Sequence, residues 1–135
     1  MVMGIPGHLI EDLTLSNIRI VYRAGATKTA IDREVPEHVD IYPDPYRWSS
    51  MPGYGMYFRH VKGLKVNNVV LRYMNRDERP AFVLEDVHDA EFNHIDAQQG
   101  EQAPQFILKD VSGFSTFRVR GVNDITLSKV KEKKL

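Results

Sequence analysis

The stretch "GLKVNNVVLRY" (residues 63–73) decides the fold, because a close copy of it, "LTLSNIRIVY" (residues 13–22), occurs earlier in the chain. Asn17 aligns with Asn68 and Tyr22 with Tyr73, and the apolar residues of the two copies fall at matching positions. A ten-residue phrase that occurs twice in a chain of 135 residues indicates a repeated structural unit.

Further copies of the unit follow the second phrase. Three segments share a leading phenylalanine, a central valine and a turn: "FRHVKGL" (58–64), "FVLEDVHDA" (82–90) and "FILKDVSGF" (106–114). Their phenylalanines are 24 residues apart, and their valines 26 and then 24. A last segment, "VNDITLSKV" (122–130), resembles "VKGLKVNNV" (61–69) and is expected to form a further copy. Self-similarity at about 20 to 30 residues is typical of a solenoid.

Within each unit the apolar residues recur with a period of two, which predicts β-strands. The alternation shifts at Asn67-Asn68, and we expect a corner there because asparagine tolerates the left-handed backbone region. Leucine-rich repeats, β-propeller blades and the coils of a parallel β-helix all fit such units. Short strands, asparagine corners and the lack of helical spacing favour an all-β parallel β-helix of about four or five coils.

Composition narrows the class of protein and of partner. The length of 135 residues fits a single domain, and 42% hydrophobic with 27% charged residues is ordinary for a globular protein. Eighteen basic residues balance eighteen acidic ones, so no nucleic acid or membrane partner is expected. The chain has no cysteine, and its five histidines lack metal-ligand spacing, so neither a metal nor another cofactor is expected.

One long segment interrupts the repeat. Residues 23–56 contain four prolines and little strand pattern, and we expect them to form an ordered loop on the flank of the solenoid. Residues 129–135, "KVKEKKL", are expected to form a polar cap at the end of the solenoid.

The phrases "GIPGHLIEDLTLSNIRI", "MPGYGMYFRHVKGLKVNNV" and "RPAFVLEDV" resemble the C-terminal coils of bacterial glycoside hydrolase family 28 proteins. This family contains polygalacturonases and rhamnogalacturonan hydrolases. The resemblance covers roughly residues 4 to 130. It implies a right-handed parallel β-helix, a pectin-type carbohydrate as ligand, and a periplasmic or secreted bacterial protein.

The catalytic motifs of that family are not found in this chain. Asn-Thr-Asp, Asp-Asp, Gly-His-Gly and Arg-Ile-Lys do not occur, since "PGHL" (6–9) and "RIV" (19–21) do not match them. In the family these motifs precede the coils represented here. We therefore expect a C-terminal segment that is not catalytic by itself, and no catalytic residue is assigned.

The loop and the strand after it contain the best candidates for sugar contact, because sugar rings stack on aromatic side chains and arginine pairs with carboxylates. The candidates are Tyr42, Tyr46, Arg47, Trp48, Tyr54, Arg59 and His60. In the alternative interpretation, the aromatic residues hold the loop against the solenoid, and Arg59 and His60 anchor it.

Acidic residues offer little evidence of another active site. Glu85 and Asp86 are adjacent, so strict strand alternation would point them to opposite faces, and Asp40 and Asp44 are expected to be solvated loop acids.

A rival hypothesis is a free-standing carbohydrate-binding module. Such a module would form homo-oligomers through the exposed coil at residues 4–22.

Overall fold

The computed structural model describes residues 1–42, 44–48 and 50–135, so Pro43 and Ser49 of the predicted loop lie outside the described residues. The fold is all-β, as predicted. Seven strands join one sheet: β1 (Val2–Met3), β2 (Ile10–Glu11), β3 (Thr14–Tyr22), β4 (Met56–Tyr73), β5 (Phe82–Ala97), β6 (Phe106–Val119) and β7 (Ile125–Lys134). In the described part of the chain, helix is limited to two 3-10 turns, Lys28–Ala30 and Pro45–Trp48.

The strands stack in parallel at the spacing that the repeat predicts. Val61 pairs with Val87, and Val87 pairs with Val111. The three short strands β1, β2 and β3 together pair with the other side of β4, where Leu15 lies beside Val66. Residues 2–22 therefore form a first level, and β4, β5 and β6 form three further levels stacked on it.

Each long strand bends three times, and the bends of successive strands are aligned. The bend residues have φ between 50° and 72°, in the left-handed region. The first bend contains His60, Asp86 and Asp110, the second Asp12, Gly63, Asp89 and Gly113, and the third Asn17, Asn68, His94 and Arg118. Most of these residues are Asn, Asp or Gly, which enter this region at the lowest cost. The predicted corner at Asn68 is confirmed.

The bends turn the apolar residues of every level toward one interior. Like residues lie above one another there, as in the stack of Phe82 on Phe106, whose ring centres are 5.0 Å apart. Phe92 meets both rings edge-on. Since about 25 cal/mol is gained per Å² of buried apolar surface, this interior is the main source of stability.

The last strand does not continue the parallel stack, so the expectation of a further parallel copy at residues 122–130 is wrong. β7 runs antiparallel to β6, with Val130 beside Val111. The connection between them spans residues 120–124. A connection this short makes a hairpin, whereas a parallel return needs a longer crossover. The lysine-rich residues 129–134 therefore belong to a strand, and their charges line its exposed part.

The segment between β3 and β4 packs on the outer face of the sheet. Val35 and Trp48 from this segment join Tyr57, Val83 and Ile107 in a second buried cluster. The start of the segment is held by the fully buried Asp77, whose carboxylate accepts hydrogen bonds from Gly25 N (2.9 Å), Ala26 N (3.0 Å) and the Arg79 guanidinium (2.8 Å). Burial disfavours the ionised form, but these donors outweigh it and lower the pKa of Asp77.

The aligned bends predict how substitutions at Asn68 will rank. Asn68→Val and Asn68→Gly both remove the 2.8 Å hydrogen bond to Asn17 Oδ1, but only valine is strained at a φ of 51°. We expect the valine variant to be less stable than the glycine variant by about 1–2 kcal/mol in urea denaturation. Equal stability of the two variants would show that the bend imposes no backbone constraint.

Candidate functional site

Arg59 is a buried charged residue that ties the loop to the sheet. It is 2% exposed, and its guanidinium donates to Val35 O (2.6 Å) and Pro36 O (3.2 Å). It also forms an ion pair with Glu37, with Nη2 and Oε2 3.1 Å apart. Backbone carbonyls of an irregular segment need donors, and Arg59 supplies them to the buried Val35 and to the adjacent Pro36.

His60 begins a chain of polar contacts along the first bend. Its Nε2 lies 3.2 Å from Glu37 Oε1, and its Nδ1 lies 2.6 Å from Asp86 Oδ2. The other oxygen of Asp86 lies 3.1 Å from His88 Nε2, and His88 Nδ1 lies 2.8 Å from Ser112 Oγ. We call this set the first-bend polar row: Glu37, Arg59, His60, Asp86, His88 and Ser112.

The first-bend polar row contains a serine, a histidine and an aspartate in the order that activates a nucleophile. The side chains of His88 and Asp86 are 37% and 39% exposed on the face of the sheet. Acyl transfer also requires donors aimed at the developing oxyanion and a site that excludes water, whereas the side chains of His88 and Asp86 are partly open to solvent. Its contacts link the loop to three successive strands, which is a structural role.

Glu85 and Asp86 do not point to opposite faces, so that expectation is wrong. Asp86 has a φ of 51° and occupies the first bend, where strict alternation is broken. Both residues lie on the outer side, where Glu85 accepts a 2.7 Å hydrogen bond from the Tyr57 hydroxyl. Burial, together with this hydrogen bond, raises the pKa of Tyr57, which keeps its hydroxyl protonated as a donor.

The structure divides the seven predicted sugar contacts into two groups. Trp48 and Tyr54 are 4% and 5% exposed, and Arg59 and His60 are also buried. The indole of Trp48 donates to Pro36 O at 3.0 Å, and Tyr54 packs edge-on against Tyr22 and Tyr73 in the interior. For these four residues the geometry favours the packing and anchoring interpretation.

The remaining three candidates lie on the surface of the loop. Tyr42 and Tyr46 are 82% and 91% exposed, and Arg47 between Tyr46 and Trp48 is exposed as well. Asp40 is solvated, whereas Asp44 accepts a hydrogen bond from Tyr46 N (3.1 Å) and shapes the turn that presents the tyrosine. These three side chains are therefore open to solvent on the described surface of the loop.

Part of the first-bend polar row could have been found from the repeat spacing. The valine spacing of 26 places His60 beside Asp86, and the spacing of 24 places His88 beside Ser112. Glu37 had no such signal, because it lies in the irregular loop and reaches the row through tertiary contact alone.

Two further structural findings bear on function. Within residues 1–42, 44–48 and 50–135, no group of three or more histidine and acidic side chains is arranged to hold a metal ion. No helix in that part of the chain is long and apolar enough to cross a membrane.

Comparisons of the chain with protein-family models, with curated proteins and with solved structures returned no match. The resemblance to family 28 therefore stays a prediction, and the function is inferred from the geometry of the chain itself.

Arg59→Met should release the loop from the sheet. We expect a loss of about 2–3 kcal/mol in unfolding free energy, because the carbonyls of Val35 and Pro36 lose a charged donor. Limited chymotrypsin digestion should cut faster after Tyr46 or Trp48 than in the unmodified protein. The control is Arg76→Met, which breaks an exposed ion pair with Glu101 and should change stability by less than about 0.5 kcal/mol. Unchanged digestion of the Arg59 variant would contradict the anchoring role.

Proposed function

We propose that the stacked levels are coils of a right-handed parallel β-helix and that the chain forms its closed end. Two features support this assignment: the aligned rows of left-handed bends and the in-register ladders of β4, β5 and β6. In a solenoid each unit buries its apolar face against its neighbours, which explains why like residues recur at about 24 residues.

The proposed role is that of the C-terminal β-helix segment of a pectin-active glycoside hydrolase-like protein. The segment supports the helix and contributes to sugar contact, while hydrolysis belongs to other coils. The family phrases support the class of protein, and the lack of the four catalytic motifs supports a non-catalytic role.

One observation carries the structural part of this role, namely the difference between the two outer strands. β7 carries five charged residues among ten, four of them lysines, whereas β3 carries one charge, Arg19, among nine. Lysines on an edge strand oppose pairing with another strand. β7 therefore has the features of a terminal strand. Among the described residues β3 pairs with β4 alone, so its other edge can pair with a further strand.

The inward apolar residues of the first level support the same conclusion. Leu15, Ile18 and Ile20 pack against the core but stay partly exposed, whereas Val66, Val69 and Leu71 beside them on β4 are fully buried. Another coil stacked on β3 would cover these side chains and satisfy the free backbone groups of its edge.

A free-standing module that assembles with itself is the alternative, and the same edge favours it. A second copy of β3, running antiparallel about a two-fold axis at Ile20, would place Ile18 beside the Tyr22 of the other copy. The inward apolar residues of both copies would then lie on one face.

Self-association should respond to a charge placed on β3. Val21 is an exposed residue of this strand, and Val21→Lys adds an edge lysine without entering the core. In sedimentation experiments over about a hundredfold range of concentration we expect the protein to associate, and the variant to associate at least tenfold more weakly. Thr126→Lys on β7 is the matched control and should behave as the unmodified protein does. A monomer at all concentrations, with amide protons of β3 protected from exchange, would contradict an open edge.

The second part of the proposed role is sugar contact through Tyr42, Tyr46 and Arg47. Aromatic rings stack on the apolar faces of sugars, and a guanidinium pairs with the carboxylate of a uronate. The exposure of the two tyrosines, 82% and 91%, is the observation that favours it, because rings this open to solvent can be reached by the face of a sugar.

Titration calorimetry with an oligogalacturonate tests this contact. We expect a dissociation constant in the millimolar range and a loss of about five- to tenfold in Tyr46→Ala, which removes one stacking ring. Phe117→Ala, which removes an exposed ring on β6, is the control and should leave the affinity unchanged. Equal affinity of the Tyr46 variant and the unmodified protein would remove the loop from the sugar site.

A further inference from the structure

The charges of the long strands alternate from one level to the next. β4 contains two lysines and two arginines but no acidic residue, whereas β5 contains five acidic residues but no lysine or arginine. The segment that follows, residues 106–135, is basic again, with seven basic and three acidic residues. An acidic level therefore lies between two basic ones.

This alternation places opposite charges beside each other across the strands. Lys65 of β4 lies beside Glu91 of β5, and Glu85 of β5 lies beside Lys109 of β6. Cross-strand pairs of opposite charge stabilise a sheet by about 0.2–1 kcal/mol each, whereas like charges destabilise it. Within this fold, basic β4 is thus paired with a strand that supplies counter-charges.

The lysines of β7 lack such counter-charges. The strand has four of them: Lys129, Lys131, Lys133 and Lys134. Lys129 lies beside Ser112, and the one acidic residue of the strand, Glu132, lies beside Lys109. In the described part of the chain, no ion pair includes any of the four lysines. β7 therefore presents an uncompensated positive charge at the end of the stack.

The inward side of β7 is incompletely covered. Leu127 lies beside Phe114, and Val130 lies beside Val111. Phe114 and Val111 are buried, whereas Leu127 and Val130 are only partly buried. Among the described residues β7 pairs with β6 alone, so its other edge has backbone groups and apolar side chains that a further strand could cover.

The lysines determine which kind of strand can pair with this edge. A neutral strand would remove water from them without supplying a counter-charge, and a basic strand, such as β7 of a second copy, would repel them. The edge is protected from pairing in this sense. An acidic strand has neither disadvantage, because it supplies the counter-charges that β5 supplies to β4.

We propose that β7 binds an acidic, extended segment of a partner protein by strand addition. Two apolar residues of the segment, three positions apart, cover Leu127 and Val130. Acidic residues between and around them meet Lys129 and Lys131. The main-chain hydrogen bonds of the edge contribute affinity, and the charges contribute specificity. This site is separate from β3 and from the loop, so it does not depend on the proposed function.

The peptide acetyl-Glu-Val-Glu-Glu-Val-Glu-amide is a suitable probe, because its sequence reads the same in both strand orientations. Binding to the full chain is measured by fluorescence anisotropy of the labelled peptide and by the backbone amide signals of β3 and β7. We expect a dissociation constant of about 0.1–1 mM and shifts confined to β7 and its neighbours. Raising the salt concentration from about 50 to about 500 mM should weaken binding at least fivefold.

Two further peptides separate charge from pattern. In the first, glutamine replaces every glutamate, and we expect binding at least tenfold weaker because the counter-charges are lost. In the second, the composition is unchanged but the two valines are adjacent, so that they cannot cover Leu127 and Val130 together. We expect this peptide to bind about threefold more weakly than the probe.

The lysines are tested with the double variant Lys129→Gln, Lys131→Gln. Both side chains are exposed, so the fold should be kept, and the loss of two cross-strand charge pairs should weaken binding about tenfold. The matched control is Lys62→Gln, Lys65→Gln, which removes two exposed lysines from β4 and should bind the probe as the unmodified protein does.

Three outcomes would overturn the proposal. The first is no saturation by the probe up to about 5 mM, beyond the range of weak specific binding. The second is equal affinity for the glutamine peptide, or shifts in β3 instead of β7. The third is binding of a single-stranded oligonucleotide, or of vesicles with about 30% phosphatidylserine, at least as tight as that of the probe, which would make β7 a general surface for polyanions.

Discussion

The structure depends on the alignment of left-handed backbone at the bends of successive levels, three in each long strand and two in the first level. A bend that occurred at a different place in one level would shift the side-chain alternation of that strand and turn apolar residues outward. Because the bends align, Val61, Val87 and Val111 lie in one ladder, and the phenylalanines stack inside. Asn, Asp and Gly at most bend positions keep the cost of this geometry low, while His60, His94 and Arg118 adopt it under the influence of their neighbours.

Two buried ionic contacts connect the irregular segment to this regular frame. Asp77 holds its beginning through backbone amides, and Arg59 holds its middle through backbone carbonyls. A segment without strand partners has unpaired backbone groups, and a charged side chain from the frame satisfies several of them at once. The aromatic residues of the segment have different positions. Trp48 fills the space between the loop and the sheet, and Tyr46 stays in solvent.

The two ends of the stack are chemically different, and this difference directs the proposed function. β7 closes one end with an antiparallel strand rich in lysine, and β3 leaves the other end with a nearly uncharged edge. The edge of β3 and the exposed tyrosines of the loop are separate surfaces, so each can be altered without changing the other.

The sequence by itself determined the all-β class, the parallel register and the corner at Asn68, because a repeat places like residues beside like at a fixed spacing. The same spacing contains the pairs His60–Asp86 and His88–Ser112. Tertiary structure alone decided the rest. The reversal of β7 follows from a connection too short for a parallel return, and the contacts of Glu37, Trp48 and Gln105 join residues from irregular segments. Such segments have no periodicity, so the position of their side chains follows from packing and from the hydrogen bonds that buried backbone groups require.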